Sequence, residues 1–190
     1  CPPESPRLEL ATTPEDEQAA DLLWRQLGLR DGERVVVFNS SGAFGAAKLW
    51  PTEYFAELAR YVAGTLDYDV LVLCGPKERE IARQIVTGAN HPRVFSLADQ
   101  PLSIGLSKAC VRRSRLMVTT DSGPRHFGGA FGVPLVSIFG PTPAVWGANP
   151  TARETALELS DLDCFGCHRR VCPLGHHRCM RDLTVERVAA

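Results

Sequence analysis

The 190-residue chain carries 44% apolar and 23% charged residues, with 21 basic against 22 acidic side chains for a net charge of −1. That is an ordinary globular composition, which excludes a disordered tail, a collagen-like fibre and a mini-protein that needs staples. It also excludes a global field of the kind that marks nucleic-acid or membrane-surface binders, and no apolar run nears the roughly 18 residues of a membrane span.

In chain order, Cys1-Pro2-Pro3-Glu4-Ser5-Pro6 reads as a linker, because proline neither continues a helix nor permits one just before it. Thr13-Pro14-Glu15 then offers a cap, a proline suited to the first turn and an acidic start, and Ala19, Leu22, Leu23 and Leu27 follow at helical spacing up to Gly28. The spacing predicts a helix over 14–28. Arg34 to Asn39 is a β-branched strand that enters a Ser40-Ser41-Gly42 loop, and a helix opens at Pro51 with Tyr54, Phe55, Leu58 and Val62 on one face.

The pattern repeats as strand 70–73, helix 78–87, strand 93–96, helix 102–112, strand 115–119, helix 124–131 and strand 134–139. Continuous apolar strands alternating with helices are what burial on both faces of a parallel sheet requires. The expected fold is therefore α/β, a Rossmann-like doubly wound parallel sheet of about six strands. Residues 1–30 form a linker and connecting helix, 31–160 the sheet domain, and 161–190 a Cys/His-rich tail with a terminal helix. In such sheets ligands sit beyond the carboxyl ends of the strands, so the loops after residues 39, 74, 119 and 139 should converge on one crevice.

The loop Thr119-Thr120-Asp121-Ser122-Gly123-Pro124-Arg125-His126 joins a strand to a helix. Gly123 lets a ligand approach the backbone, and the amides of the first turn suit an anion such as phosphate. A carboxylate repels phosphate, so Asp121 makes better sense accepting from the hydroxyls of a neighbouring sugar. Asp121 and Ser122 also serve equally well as helix caps, and His126 as a packed first-turn histidine. In the loop from Ser40 to Pro51, small residues permit close approach and Lys48 brings a cation suited to a leaving diphosphate. The Gly-Lys-Ser/Thr ending of a Walker loop is missing, and a lysine in a loop is often merely solvated. In Cys74-Gly75-Pro76-Lys77-Glu78, Glu78 stands where such domains offer an acid to ribose, or where a helix dipole favours one.

Lys48-Leu49-Trp50-Pro51, Cys74-Gly75-Pro76-Lys77-Glu78, Asp121-Ser122-Gly123-Pro124-Arg125-His126 and Phe139-Gly140-Pro141-Thr142 occur in the order and spacing of glycosyltransferase family nine. From about residue 34 onward the sequence resembles the carboxy-terminal half of ADP-heptose:lipopolysaccharide heptosyltransferases, which have the two-domain GT-B architecture. The resemblance implies that Ser41 and Lys48 contact the donor diphosphate, Lys48 stabilising the leaving group. It places Glu78 on the ribose, Asp121 on the transferred heptose, and the amides of Ser122 and Gly123 on the phosphates, with His126 supporting that loop or reaching the ligand. Catalysis is inverting and needs no metal or other cofactor, and the general base is an aspartate of the amino-terminal domain, so no catalytic base is expected here. The implied partners are ADP-heptose and, through the other domain, the lipopolysaccharide core acceptor, with no nucleic acid and with peripheral membrane association of the full-length enzyme.

Cys164-x2-Cys167-x4-Cys172-x6-Cys179, interleaved with His168, His176 and His177, holds enough thiolates for one tetrahedral structural zinc. Disulfides and free thiols are the other readings of this tail. Similar tails in the second-heptose type of the family favour that subgroup. Cys74 and Cys110 sit in apolar segments, as reduced core thiols do. The chain begins at Cys1 with no basic-then-apolar leader, so upstream sequence is expected to be missing and the compartment to be the reducing bacterial cytoplasm, at the inner face of the inner membrane. Competing readings are a GT-B transferase for another nucleotide sugar, a non-catalytic nucleotide-sugar module, and, last, a nucleic-acid knuckle in the tail, whose arginines lack aromatic partners beyond Phe165.

Overall fold

The computed structural model describes residues 7–42 and 44–190, so the linker expected over 1–6 lies outside the described residues. Helix α1 (Pro14–Leu27) opens with a capping box, in which the Thr13 hydroxyl accepts from Asp16 N and the Asp16 carboxylate accepts from Thr13 N, and it closes at Gly28 in the left-handed region. Strand β1 (Val35–Asn39) is buried at every residue, as is β2 (Asp69–Leu73). Between them α2 (Thr52–Gly64) starts behind Pro51 and buries Phe55, Leu58 and Val62.

Next come α3 (Arg79–Ala89), β3 (Val94–Ser96), α4 (Ile104–Arg113), β4 (Leu116–Thr120), α5 (Arg125–Phe131) and β5 (Leu135–Ile138). The Ser103 hydroxyl caps α4 by accepting from Leu106 N at 2.8 Å. The sheet has the expected six strands, but the place of the sixth, β6 (Glu154–Leu157), was not read from the sequence, whose last located strand is 134–139. It lies on the sheet edge with Thr155 and Ala156 exposed, so it lacks the apolar run that betrays a central strand. The chain ends in α6 (Arg178–Arg181) and α7 (Val185–Ala189).

All six strands pair in parallel in the order β3-β2-β1-β4-β5-β6. In that register Val37 lies between Leu71 and Met117, three side chains that are fully buried. The order reverses between β1 and β4, and this switch point opens a crevice at the carboxyl ends of the strands. Two polar anchors fix the frame. The buried Asp69 accepts from Arg30 N at 2.8 Å and Arg30 Nε at 3.0 Å, setting the start of β2. At the other end of the chain, Trp50 Nε1 donates to Leu183 O at 2.8 Å, and Met180, Leu183 and Val185 bury themselves in the same core.

Candidate functional site

The crevice is a cavity of about 500 Å³, within the range of ligand pockets. Its floor is the end of β1 (Asn39 and Ser41), one wall is Leu73 to Gly75 with Glu78, and the other is Gly123, Pro124 and Phe127. Leu102, Ser103 and Ile104 close the far side, so apolar side chains line its depth. Ile104, 74% exposed, stands at this edge of the cavity.

Asn39, which the sequence reading passed over, holds the switch point together. It is buried, and its Nδ2 donates to Thr119 Oγ1 at 2.9 Å and to Ser122 Oγ at 2.8 Å, tying β1 to the loop after β4. The Ser41 carbonyl accepts from Thr120 Oγ1 across the same gap. The signal for Asn39 is an amide that ends a buried apolar run, where only a satisfied polar group is tolerated.

Lys48 and Asp121 meet in the loops after β1 and β4. Lys48 Nζ donates to Asp121 Oδ2, and the two side chains are only 12% and 16% exposed. Asp121 N donates to Ile138 O at 3.1 Å, which docks this loop on the end of β5. Gly123 faces open space, with no atom within 4 Å of where a Cβ would stand, so a ligand can approach its backbone. Glu78 curls back on its own turn: Oε2 accepts from Gly75 N at 2.8 Å, and its N–H donates to Gly75 O.

Thus Ser41, Glu78 and Gly123 share the cavity; Ser122 is bonded to Asn39 of its lining, and Lys48 and Asp121 pair with each other outside the lining, Asp121 two residues before Gly123. His126 is not brought to the cavity. It is exposed and faces a shallow depression with Leu8, Asn149 and Glu154 on another side of α5. The end of β5 likewise borders Asp121 rather than lining the cavity, which corrects the expectation that all four strand ends share one crevice. Its neighbour Arg125 is structural: buried at 2% exposure, it binds Glu154 Oε2 at 2.6 Å and Gly147 O at 3.0 Å, and so locks β6 to α5. Burial raises the Glu154 carboxyl, but hydrogen bonds led by Arg125 outweigh it and hold the carboxyl below its ordinary range.

In the tail, Cys164, Cys167, Cys172 and Cys179 line one small cavity with Ala47, Gly140, His176 and His177, and all four are free thiols. Burial and then the other three sulfurs push the Cys179 thiol up to about 11. Cys164 Sγ lies 4.0 Å from His176 Nε2. As the side chains stand, no three His, Cys, Asp or Glu groups among the described residues are arranged to hold a metal ion. The tail also reaches the site: Ala47 N donates to Arg170 O at 3.0 Å, and His177 Nε2 to Ala47 O at 2.8 Å.

The sheet order, with a cavity at its switch point, defines a Rossmann-like doubly wound α/β domain. The chain belongs to glycosyltransferase family 9 (heptosyltransferase), whose model matches residues 3–177. Lipooligosaccharide heptosyltransferase 2 of Campylobacter jejuni (serotype O:2) is 34% identical over 164 residues, 84% of this chain and 50% of that protein. A family 9 glycosyltransferase structure from Veillonella parvula is 28% identical with a TM-score of 0.73, covering 83% of this chain and 44% of that one. The E. coli ADP-heptose LPS heptosyltransferase II structure has the same TM-score at 22% identity, covering 95% and 50%. The chain spans about half the length of the relatives it matches, and its sheet has the fold of one half of a GT-B enzyme.

Proposed function

We propose that this chain is the donor-binding half of an inverting heptosyltransferase that moves heptose from ADP-heptose to the lipopolysaccharide inner core. The observation that carries the reading is the Lys48–Asp121 pair, a cation and an acid held side by side in the loops after β1 and β4, the same loops that bring Ser41 and Gly123 to the switch-point cavity. The base packs among Leu73, Leu102, Ile104 and Phe127, and Glu78 turns its second carboxylate oxygen to the ribose. The diphosphate crosses Gly123 to Lys48, and Asp121 accepts from the sugar hydroxyls.

Transfer builds negative charge on the departing diphosphate, and Lys48 lies where that charge grows, so it contributes most in the transition state. The acceptor hydroxyl needs a base, and in this reading the other half of the enzyme supplies both base and acceptor surface. Among the described residues no helix is long and apolar enough to cross a membrane. We place the enzyme in the bacterial cytoplasm, meeting its lipid-linked acceptor peripherally at the inner membrane. Calorimetry with ADP, ADP-heptose, UDP-glucose and GDP-mannose tests the donor assignment. The adenine nucleotides should bind tightest, and a preference for UDP or GDP would overturn it.

For the tail we propose one structural zinc held by Cys164, Cys167, Cys172 and Cys179. The support is that all four thiols line one cavity; as placed no three of them are arranged to hold a metal, so binding requires them to move closer together. No catalytic step passes through it.

A further inference from the structure

We infer that His177 is a positioning residue for Lys48, acting from the tail on the short turn that aims the lysine at Asp121. The inference rests on the donor-site reading above. Lys48 ends a three-residue 3-10 turn, Ala46–Lys48, that has no side-chain cap. So short a turn is weakly stable by itself, and a lysine stem is flexible, so something else must hold the ammonium in place.

The tail does so through Ala47, the residue before Lys48. Both main-chain groups of this buried alanine are taken: its N–H donates to Arg170 O at 3.0 Å, and its carbonyl accepts from His177 Nε2 at 2.8 Å. A carbonyl only accepts, so Nε2 carries the proton. His177 is fixed in turn. Its N–H donates to Cys172 Sγ at 3.4 Å, it leads into α6 with its buried Met180, and its backbone sits at a φ of 52°. A non-glycine residue persists in that region only where its surroundings over-determine it. The contact is close on the turn's side too, since a Cβ on Gly45 would stand 2.5 Å from Arg170 O.

Asp121 is the sugar-side group and Lys48 is its partner, so Lys48 should meet the second phosphate of ADP, which AMP lacks. The readout is therefore the preference of this chain for ADP over AMP, measured by calorimetry alongside melting temperature. Lys48→Ala should cut that preference about tenfold or more, and His177→Ala about three- to tenfold, the worth of one buried hydrogen bond. His177→Gln keeps a donor at similar reach and should restore it to within about twofold. Gly45→Ala pries the turn from Arg170 and should lower it as His177→Ala does. A His177→Ala protein that keeps the full preference while Lys48→Ala loses it overturns the positioning role. Should His177→Ala fail to fold, a folded His177→Phe, which fills the space without a donor, takes its place, and full preference in it overturns the role. A Lys48→Ala protein that still prefers ADP as strongly as before refutes the donor-site reading itself.

Discussion

Lys48 and Asp121, 73 residues apart in sequence, are joined in an ion pair that solvent barely reaches. With no donor bound each is the other's counter-charge, so a diphosphate must draw Lys48 away from a carboxylate before it gains the full attraction. Asp121→Asn should therefore raise ADP affinity a few-fold while erasing most of the advantage of ADP-heptose over ADP, because the released lysine turns to phosphate and the sugar loses its acceptor. Lys48→Ala acts in the opposite sense on ADP, and in the full enzyme it should lower kcat by about 10²–10³, the usual loss for one charge-stabilising donor. An Asp121→Asn protein in which both affinities change equally, so that the advantage of ADP-heptose over ADP is kept, would remove Asp121 from the sugar.

Gly123→Ala separates binding from folding. The added methyl group meets nothing in the protein, so the melting temperature should stay within about 2 °C of the parent. The same methyl group projects into the space through which phosphate reaches the backbone, and ADP affinity should fall about tenfold or more. A titration showing unchanged ADP affinity would place the phosphates elsewhere.

The central sheet was legible because β1, β2 and β4 are buried almost throughout and carry the apolar runs Val35–Phe38, Val70–Leu73 and Leu116–Val118. Helix ends were legible where capping chemistry marks them, as at Thr13 and Gly28. Strand β6 was not, since half of it faces solvent and its place depends on the buried Arg125–Glu154 pair, a contact 29 residues apart that no local pattern encodes. The loops that gather at the site could be named from motif order. Their contacts could not: Asn39 bridging to Ser122, Glu78 folding back on Gly75 and His126 turning away from the cavity are settled by side-chain packing between segments far apart.

Acid should loosen the packing of α1 on α4. Burial raises the Glu17 carboxyl, but hydrogen bonds from Thr12, Arg113 and Arg112 outweigh that and hold it at about 2, against an ordinary value of 4.5. A depressed folded value means that the unfolded chain binds the proton more readily, so this contribution is complete above about pH 5 and is lost as pH falls from 4.5 toward 2. It amounts to at most about 3 kcal/mol for this partly screened group. Denaturant melts of the parent and Glu17→Gln should differ at pH 7 and converge near pH 2. A constant gap across that window would assign the effect to packing instead.

The tail makes the sharpest test of what orders this chain. Leu159 and Met180 are buried, and the residues between them form no helix or strand until α6 begins at Arg178, so about twenty residues are fixed without a ladder of their own. Ordering each backbone unit costs about 1–2 kcal/mol, and the exposed Val171 and Leu174 return little of it through burial. The zinc proposed above would supply the difference as a cross-link that exists only in the folded chain, with the four thiols that line one cavity as its ligands. Protein purified under reductant should hold about one equivalent of zinc, lose it to a thiol reagent or to Cys172→Ser, and melt several degrees lower once it is gone. Because the tail grips Ala47, stripping the metal should also weaken ADP binding. Metal-free protein with four readily titrated thiols and an unchanged melting point would mean that the hydrogen bonds of Arg170 and His177 and the burial of Met180 hold the tail unaided.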